Sequence, residues 1–132
     1  MLLRNKMDKI QVFKTKKTRR SLSQTKSGFS IGGKIWLERN GELYIGQARA
    51  RLLEQIDELG SIAAAARSMK LAYRNAWLWV ESMNRLAMSP LVVTVTGGPG
   101  GRHAVVTKEG WKAIEEYKDL RTRFIEFLDQ PL

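Results

Sequence analysis

The chain has 132 residues, 43% of them hydrophobic, and a formal net charge of +10. This length suits one domain with a buried core, and the lack of cysteine excludes a disulfide framework or a thiolate metal site. With His103 as its single histidine the chain is not rich in metal ligands, so we expect no metal and no cofactor. There is no signal peptide pattern and no apolar run of the ~18 residues that span a bilayer, so we predict a cytoplasmic protein without a membrane partner.

Positive charge is concentrated in two parts of the chain. Residues 1–26 contain nine Lys or Arg and one acid, and residues 60–108 contain six Lys or Arg and one acid. This distribution is typical of a polyanion binder, because neutralising phosphates releases counterions. A basic surface that serves solubility, or one that meets anionic lipid, is the alternative. We predict a basic, disordered arm over residues 1–32 and a folded domain over residues 33–132.

The folded part opens with a predicted hairpin and a helix. Residues 34–45 alternate apolar and polar side chains around Asn40 and Gly41, the preferred pair for a tight hairpin turn. This hairpin is expected to be scaffold or a dimer contact. Residues 46–59 carry an apolar stripe at helical spacing and predict a helix that supports the next two helices of the chain.

Residues 60–87 predict two helices joined by a tight turn. Gly60 can end the preceding helix, Ser61 is a candidate N-cap, and an alanine-rich helix comes next. A second helix from about residue 73 has an apolar face and, opposite it, a polar and basic face. This arrangement matches a helix-turn-helix that reads DNA, with an ordinary helical hairpin as the alternative.

Residues 91–107 predict a second hairpin with a glycine-rich tip at 97–101. No lysine followed by serine or threonine comes after the glycines, so a phosphate-binding loop is disfavoured. We interpret the hairpin as a wing whose tip residues Arg102 and His103 reach a sugar-phosphate backbone or a minor groove. His103 lacks the neighbours of a metal ligand or a catalytic base. The last helix is predicted from Thr107 to about Leu128, and its wide apolar surface suits a dimer interface or packing against the first hairpin.

Taken together, these elements predict an α+β fold: a winged helix-turn-helix with an N-terminal β-hairpin and a long C-terminal helix. The chain resembles the N-terminal DNA-binding domain of ModE-type molybdate-responsive regulators, which is LysR-like, over roughly residues 33–128. The resemblance lies in the segments 53–62, 64–66, 73–77, 83–84, 90–92, 96–98 and 100–101, together with Leu120.

The chain departs from the family pattern at the turn. Lys70 stands where the family usually has glycine, and Ala72 where it usually has a capping serine. The resemblance implies DNA binding and dimerisation. It does not imply molybdate sensing, because the family's molybdate sites lie in a separate C-terminal domain, and we recognise no molybdate site here.

We therefore predict a sequence-specific, homodimeric DNA-binding transcriptional regulator that reads the major groove of double-stranded DNA. Arg74 is expected to contact guanine, Asn75 an adenine or a phosphate, and Tyr73 a phosphate or a thymine methyl group. The full set of predicted DNA-binding residues is Ser61, Tyr73, Arg74, Asn75, Trp77, Leu78, Arg102, His103 and Lys108. Trp77 faces either the groove or the inside of the wing. The alternatives are a non-specific nucleic-acid binder and a winged-helix protein-interaction module, and we do not expect an enzyme.

Overall fold

The computed structural model describes residues 28–97 and 102–131. Most of the predicted basic arm and most of the glycine-rich tip lie outside the described residues. The elements in chain order are β1 (Leu37–Arg39), β2 (Glu42–Ile45), α1 (Gln47–Leu59), α2 (Ile62–Ser68), α3 (Tyr73–Leu86), β3 (Val92–Val95), β4 (His103–Val106) and α4 (Lys108–Leu128).

The first hairpin contains an irregularity that the sequence did not reveal. β1 and β2 pair antiparallel around residues 40–41, both of which have a positive φ. A register shift in β1 places Leu37 opposite Ile45 and leaves one extra residue in β2. Leu43 is consequently 42% exposed, so the strict alternation predicted for these strands is wrong at that position.

The first three helices pack through small and branched side chains. Ala65 and Ala66 of α2 are buried, as are Ala76 and Val80 of α3. Small side chains let neighbouring helices approach closely, which explains the alanine-rich sequence of α2. The largest fully buried side chains are Tyr117, Ile45, Leu52, Leu53, Ile56, Met83, Leu91, Ile114 and Leu128.

The turn between α2 and α3 has the features that the sequence indicated. Lys70 has φ 54°, a left-handed conformation that costs a side-chain-bearing residue about 1 kcal/mol. Ala72 is the N-cap of α3 and provides no side-chain hydrogen bond there. The start of α3 therefore lacks the usual support of a capping side chain.

Contacts divide the chain into two compact units. Among the described residues, one unit lies within 36–117, and the other consists of residues 28–35 with residues 118–131. The long helix α4 is thus shared between the units. The strands form two separate two-stranded antiparallel sheets, β1 with β2 and β3 with β4.

These observations correct the predicted fold class. The sequence indicated an α+β winged helix-turn-helix with an N-terminal β-hairpin and a long C-terminal helix, all in one domain. The described residues form four helices and two separate small antiparallel sheets, and the second half of α4 belongs to a different compact unit from the rest. The predicted boundary between residues 32 and 33 stays a prediction.

Candidate functional site

A cleft of about 460 Å³ lies between the α1–α2 junction and the β3–β4 hairpin, within residues 36–117. It draws its walls from three distant parts of the chain. We call it the junction cleft, and its lining residues are Leu59, Gly60, Ser61, Ile62, Ala63, Arg67, Tyr73, Thr94, Arg102, His103 and Ala104.

The backbone of the α1–α2 junction fixes one wall of the cleft. Gly60 has φ 79°, and its N–H donates to the Ile56 carbonyl oxygen at 2.8 Å, which ends α1 in a left-handed cap. The Gly60 carbonyl oxygen accepts the N–H of Ala104 at 2.9 Å. The junction and β4 are therefore joined directly across the cleft.

Ser61 caps the helix that starts at this wall. Its Oγ accepts the N–H of Ala64 at 3.0 Å, as the sequence predicted for an N-cap. Because the oxygen acts as an acceptor in this bond, the hydroxyl proton stays available to donate. A serine hydroxyl carries one donor and two acceptor positions, so Ser61 can cap the helix and bind an anion at the same time.

The side chains that line the junction cleft carry positive charge and no negative charge. Arg67 lies in the last turn of α2, and Arg102 lies just before β4. Both are exposed. No carboxylate lines the cleft. Hydroxyl groups of Ser61, Tyr73 and Thr94 supply further donors, so the arrangement suits an anion rather than a cation.

Four of the predicted site residues meet in this cleft: Ser61, Tyr73, Arg102 and His103. The other five lie outside its lining: Arg74, Asn75, Trp77, Leu78 and Lys108. The first four of these are exposed along α3, and Lys108 is exposed at the start of α4. Trp77 is 38% exposed, so it is not buried under the hairpin, one of its two predicted positions.

Sequence reasoning missed Arg67 and Thr94. Arg67 is the only charged residue in the alanine-rich helix, and its charge could have marked it as a candidate anion ligand. Thr94 lies in the middle of a β-branched strand, where nothing in the sequence distinguished it. Among the described residues, no group of three or more His, Cys, Asp or Glu side chains could hold a metal ion, and no helix is long and apolar enough to cross a bilayer.

No protein-family model matches the chain, but it is similar to several characterised proteins. It is 40% identical over 100 residues to the molybdenum-pterin-binding protein MopB of Rhodobacter capsulatus, covering 73% of this chain and 37% of the relative. MopA, the molybdenum-pterin-binding protein of the same organism, is 45% identical over 78 residues, 59% of this chain and 29% of the relative. The transcriptional regulator ModE of Haemophilus influenzae is 36% identical over 75 residues, 57% of this chain and 29% of the relative.

The chain spans about a third of the length of these relatives. MopB and MopA are named for molybdenum-pterin binding. Their names contradict the family assignment made from the sequence, which included no site for molybdate. We therefore correct the prediction that the chain is a ModE-type, LysR-like winged helix-turn-helix domain without a molybdate-binding domain.

The predicted function and the predicted partner are corrected together with the family assignment, because both depended on it. From the sequence we predicted a sequence-specific, homodimeric DNA-binding regulator with double-stranded DNA as its partner and no molybdate site. The two Rhodobacter relatives are named for a different ligand, molybdenum-pterin. The specific roles given to the nine predicted DNA-binding residues rested on that function, and only their positions are carried forward.

Proposed function

We propose that the protein binds a molybdenum-containing or phosphate-bearing anion of the molybdenum-pterin class in the junction cleft. The observation that carries the proposal is the pair of guanidinium groups, Arg67 and Arg102, in one cleft without a carboxylate. The names of MopB and MopA supply the class of ligand. Since the chain spans only about a third of those relatives, the extension of their ligand to this chain is itself part of the proposal.

The chemistry of the cleft favours an oxyanion with several acceptor oxygens. A guanidinium presents its N–H groups in a planar fork that matches phosphate and similar anions. Arg67 lies on α2 and Arg102 lies just before β4, and Ser61 and Thr94 add hydroxyl groups to the same lining. A phosphate group or a tetrahedral metal oxyanion would thereby find both charge neutralisation and directed hydrogen bonds.

Tyr73 gives the cleft an aromatic surface beside the charged groups. It is the first residue of α3 and 47% exposed. An exposed aromatic ring next to an anion site can stack on a planar heterocycle such as a pterin, while the phenol donates a hydrogen bond. We further propose that the protein binds its ligand without catalysing a reaction, and that it does so in the cytoplasm.

Isothermal titration calorimetry tests the proposal with two probes, sodium molybdate and a pterin phosphate. Loss of a hydrogen bond to a charged ligand is worth about 1.5–3 kcal/mol, so Arg67→Ala and Arg102→Ala should each weaken binding about 10- to 100-fold. Arg51→Ala is the matched control, because Arg51 is an exposed arginine of α1 that does not line the cleft.

The salt dependence separates a specific site from a general charge effect. Raising the salt concentration weakens the long-range attraction between the anion and the protein's positive charges. This screening acts alike on the parent and on all three arginine variants, because the Debye length falls to about 8 Å at physiological ionic strength. The difference between Arg102→Ala and Arg51→Ala should persist. Equal affinity in all variants, or binding of duplex DNA with no binding of either probe, contradicts the proposal.

A further inference from the structure

Met88 is the most exposed of the large apolar side chains in the described part of the chain. It lies two positions beyond the end of α3, and it is 85% exposed. Of the other methionines that the structure describes, Met83 is completely buried and Met69 is half-buried. Oxidation of methionine depends on access to the sulfur, so these three residues differ strongly in their expected reactivity.

The Met88 sulfur lies next to a guanidinium group. Nη2 of Arg39, at the end of β1, approaches Met88 Sδ at 3.6 Å, and Nη1 donates to the Leu86 carbonyl oxygen at 2.6 Å. Arg39 thus holds the C-terminal end of α3 with one nitrogen and presents the other to a thioether. A thioether sulfur is only a weak acceptor, so this second donor is poorly used in the reduced protein.

We propose that Met88 is a site of reversible oxidation by peroxide and that Arg39 binds the resulting sulfoxide. In this step a sulfur lone pair attacks one peroxide oxygen, the O–O bond breaks and an S–O bond forms. Sulfur loses two electrons, and the remaining peroxide oxygen leaves as water with the two protons of hydrogen peroxide. The proposal is independent of the ligand bound in the junction cleft.

Oxidation at this position changes the Arg39 contact without disturbing the core. The sulfoxide oxygen is a much stronger acceptor than the thioether sulfur, and the donor that faces it carries a positive charge. Because Met88 is exposed, the added oxygen displaces no packed side chain. The oxidised protein therefore has a stronger link between the first hairpin and the segment after α3, whereas oxidation of buried Met83 would disrupt packing.

Graded hydrogen peroxide treatment of the full chain, followed by peptide mass spectrometry, tests the site. Met88 should gain one oxygen several-fold faster than Met69 or Met83. The unfolding midpoint of protein oxidised at Met88 alone should rise by about 2 °C, and treatment with methionine sulfoxide reductase should reverse the rise.

Two variants, each compared before and after oxidation, separate the Arg39 contact from a general effect of peroxide. Met88→Leu should show no change in midpoint. Arg39→Lys keeps the charge but not the planar pair of donors, and it should lose the rise. The proposal is overturned if Met69 or Met83 oxidises as fast as Met88. It is equally overturned if the midpoint does not rise in the parent, or if it rises as much in Arg39→Lys.

Discussion

Gly110 and Val106 approach each other so closely that no side chain fits between them. A β-carbon built on Gly110 would lie 2.6 Å from Cγ1 of Val106, and it would also collide with the Leu91 carbonyl oxygen. Thr107 reinforces the contact, since its Oγ1 donates to the Pro90 carbonyl oxygen at 2.7 Å and accepts the N–H of Gly110 at 3.0 Å. The first turn of α4 therefore packs directly against β4 and the segment just before β3.

Gly110→Ala should destabilise the protein by about 1–3 kcal/mol, the usual cost of overpacking. The direction of this change in stability is informative, because a glycine within a helix ordinarily makes the protein about 0.5–1 kcal/mol less stable than an alanine does. Urea denaturation followed by circular dichroism measures the effect. Glu109→Ala, the neighbouring exposed helical position, is the control and should change stability little. A Gly110→Ala protein as stable as the parent would show that the close packing is not present.

Asn84 holds the edge of β3 in the manner of a neighbouring strand. Its Oδ1 accepts the N–H groups of Leu91 at 2.8 Å and Val92 at 3.1 Å, and its Nδ2 donates to the Val92 carbonyl oxygen at 2.9 Å. Asn84→Ala leaves three backbone groups without these bonds, so we expect a loss of about 2 kcal/mol or more in the free energy of unfolding. Asn75→Ala, on the exposed face of the same helix, should cost far less. Equal losses in the two variants would contradict this role of Asn84.

The left-handed Lys70 predicts a stabilising substitution. Lys70→Gly removes the steric cost of φ 54° and should raise the free energy of unfolding by up to about 1 kcal/mol. Ser68→Gly, within α2, should have the opposite sign, because its backbone is helical and its hydroxyl donates to Gln55 and to the Ala65 carbonyl oxygen. Thermal unfolding of both variants beside the parent gives the comparison. A destabilised Lys70→Gly would mean that the lysine side chain contributes more to the turn than its backbone costs.

An ion pair between the first hairpin and α3 gives the stability a pH dependence. Arg85 donates to both carboxylate oxygens of Glu42, at 3.0 and 2.9 Å, and this hydrogen-bonded pair lowers the pKa of Glu42 below 4.5. A carboxyl whose pKa is lowered by folding stabilises the protein above its unfolded pKa and loses that contribution as the pH falls through the folded value.

Glu42→Gln therefore should be less stable than the parent at pH 7, and this difference should become smaller at pH 3, where Glu42 takes up protons. Both side chains are exposed, so the difference is small and should shrink further in high salt. Urea titrations at the two pH values measure it. A difference of the same size at pH 3 would show that the pair does not stabilise through the charge of Glu42.

The sequence predicted local structure well wherever the signal was local. Left-handed Gly60 and capping Ser61 and Thr107 were visible as residue types in suitable positions, and each has the predicted conformation or hydrogen bond. The irregularity in the first hairpin was not visible, because the apolar and polar pattern of residues 34–45 does not mark a register shift. Nη1 of Arg49, a few residues further along the chain, donates to the carbonyl oxygens of Leu43 and Tyr44 beside it.

The junction cleft was predictable only in part, because its lining residues come from distant parts of the chain. Ser61 and Tyr73 were identified from the two-helix pattern, and Arg102 from the tip of the second hairpin. Their meeting with Arg67 and Thr94 depends on the hydrogen bond between Ala104 and Gly60, 44 residues apart in the chain, which no periodicity encodes. The ligand class came from the relatives, since charge alone indicates an anion without saying which one.

An NMR titration of the amide signals tests the claim that the junction cleft binds the anion. Addition of molybdate or a pterin phosphate should produce saturable shifts at Gly60, Ser61, Thr94 and His103, with sulfate as the weaker competitor. Arg102→Ala should raise the ligand concentration at which those shifts saturate about 10- to 100-fold, while leaving the remaining spectrum unchanged. The claim is contradicted if neither probe shifts these signals, or if the only saturable change appears on the exposed face of α3 when duplex DNA is added.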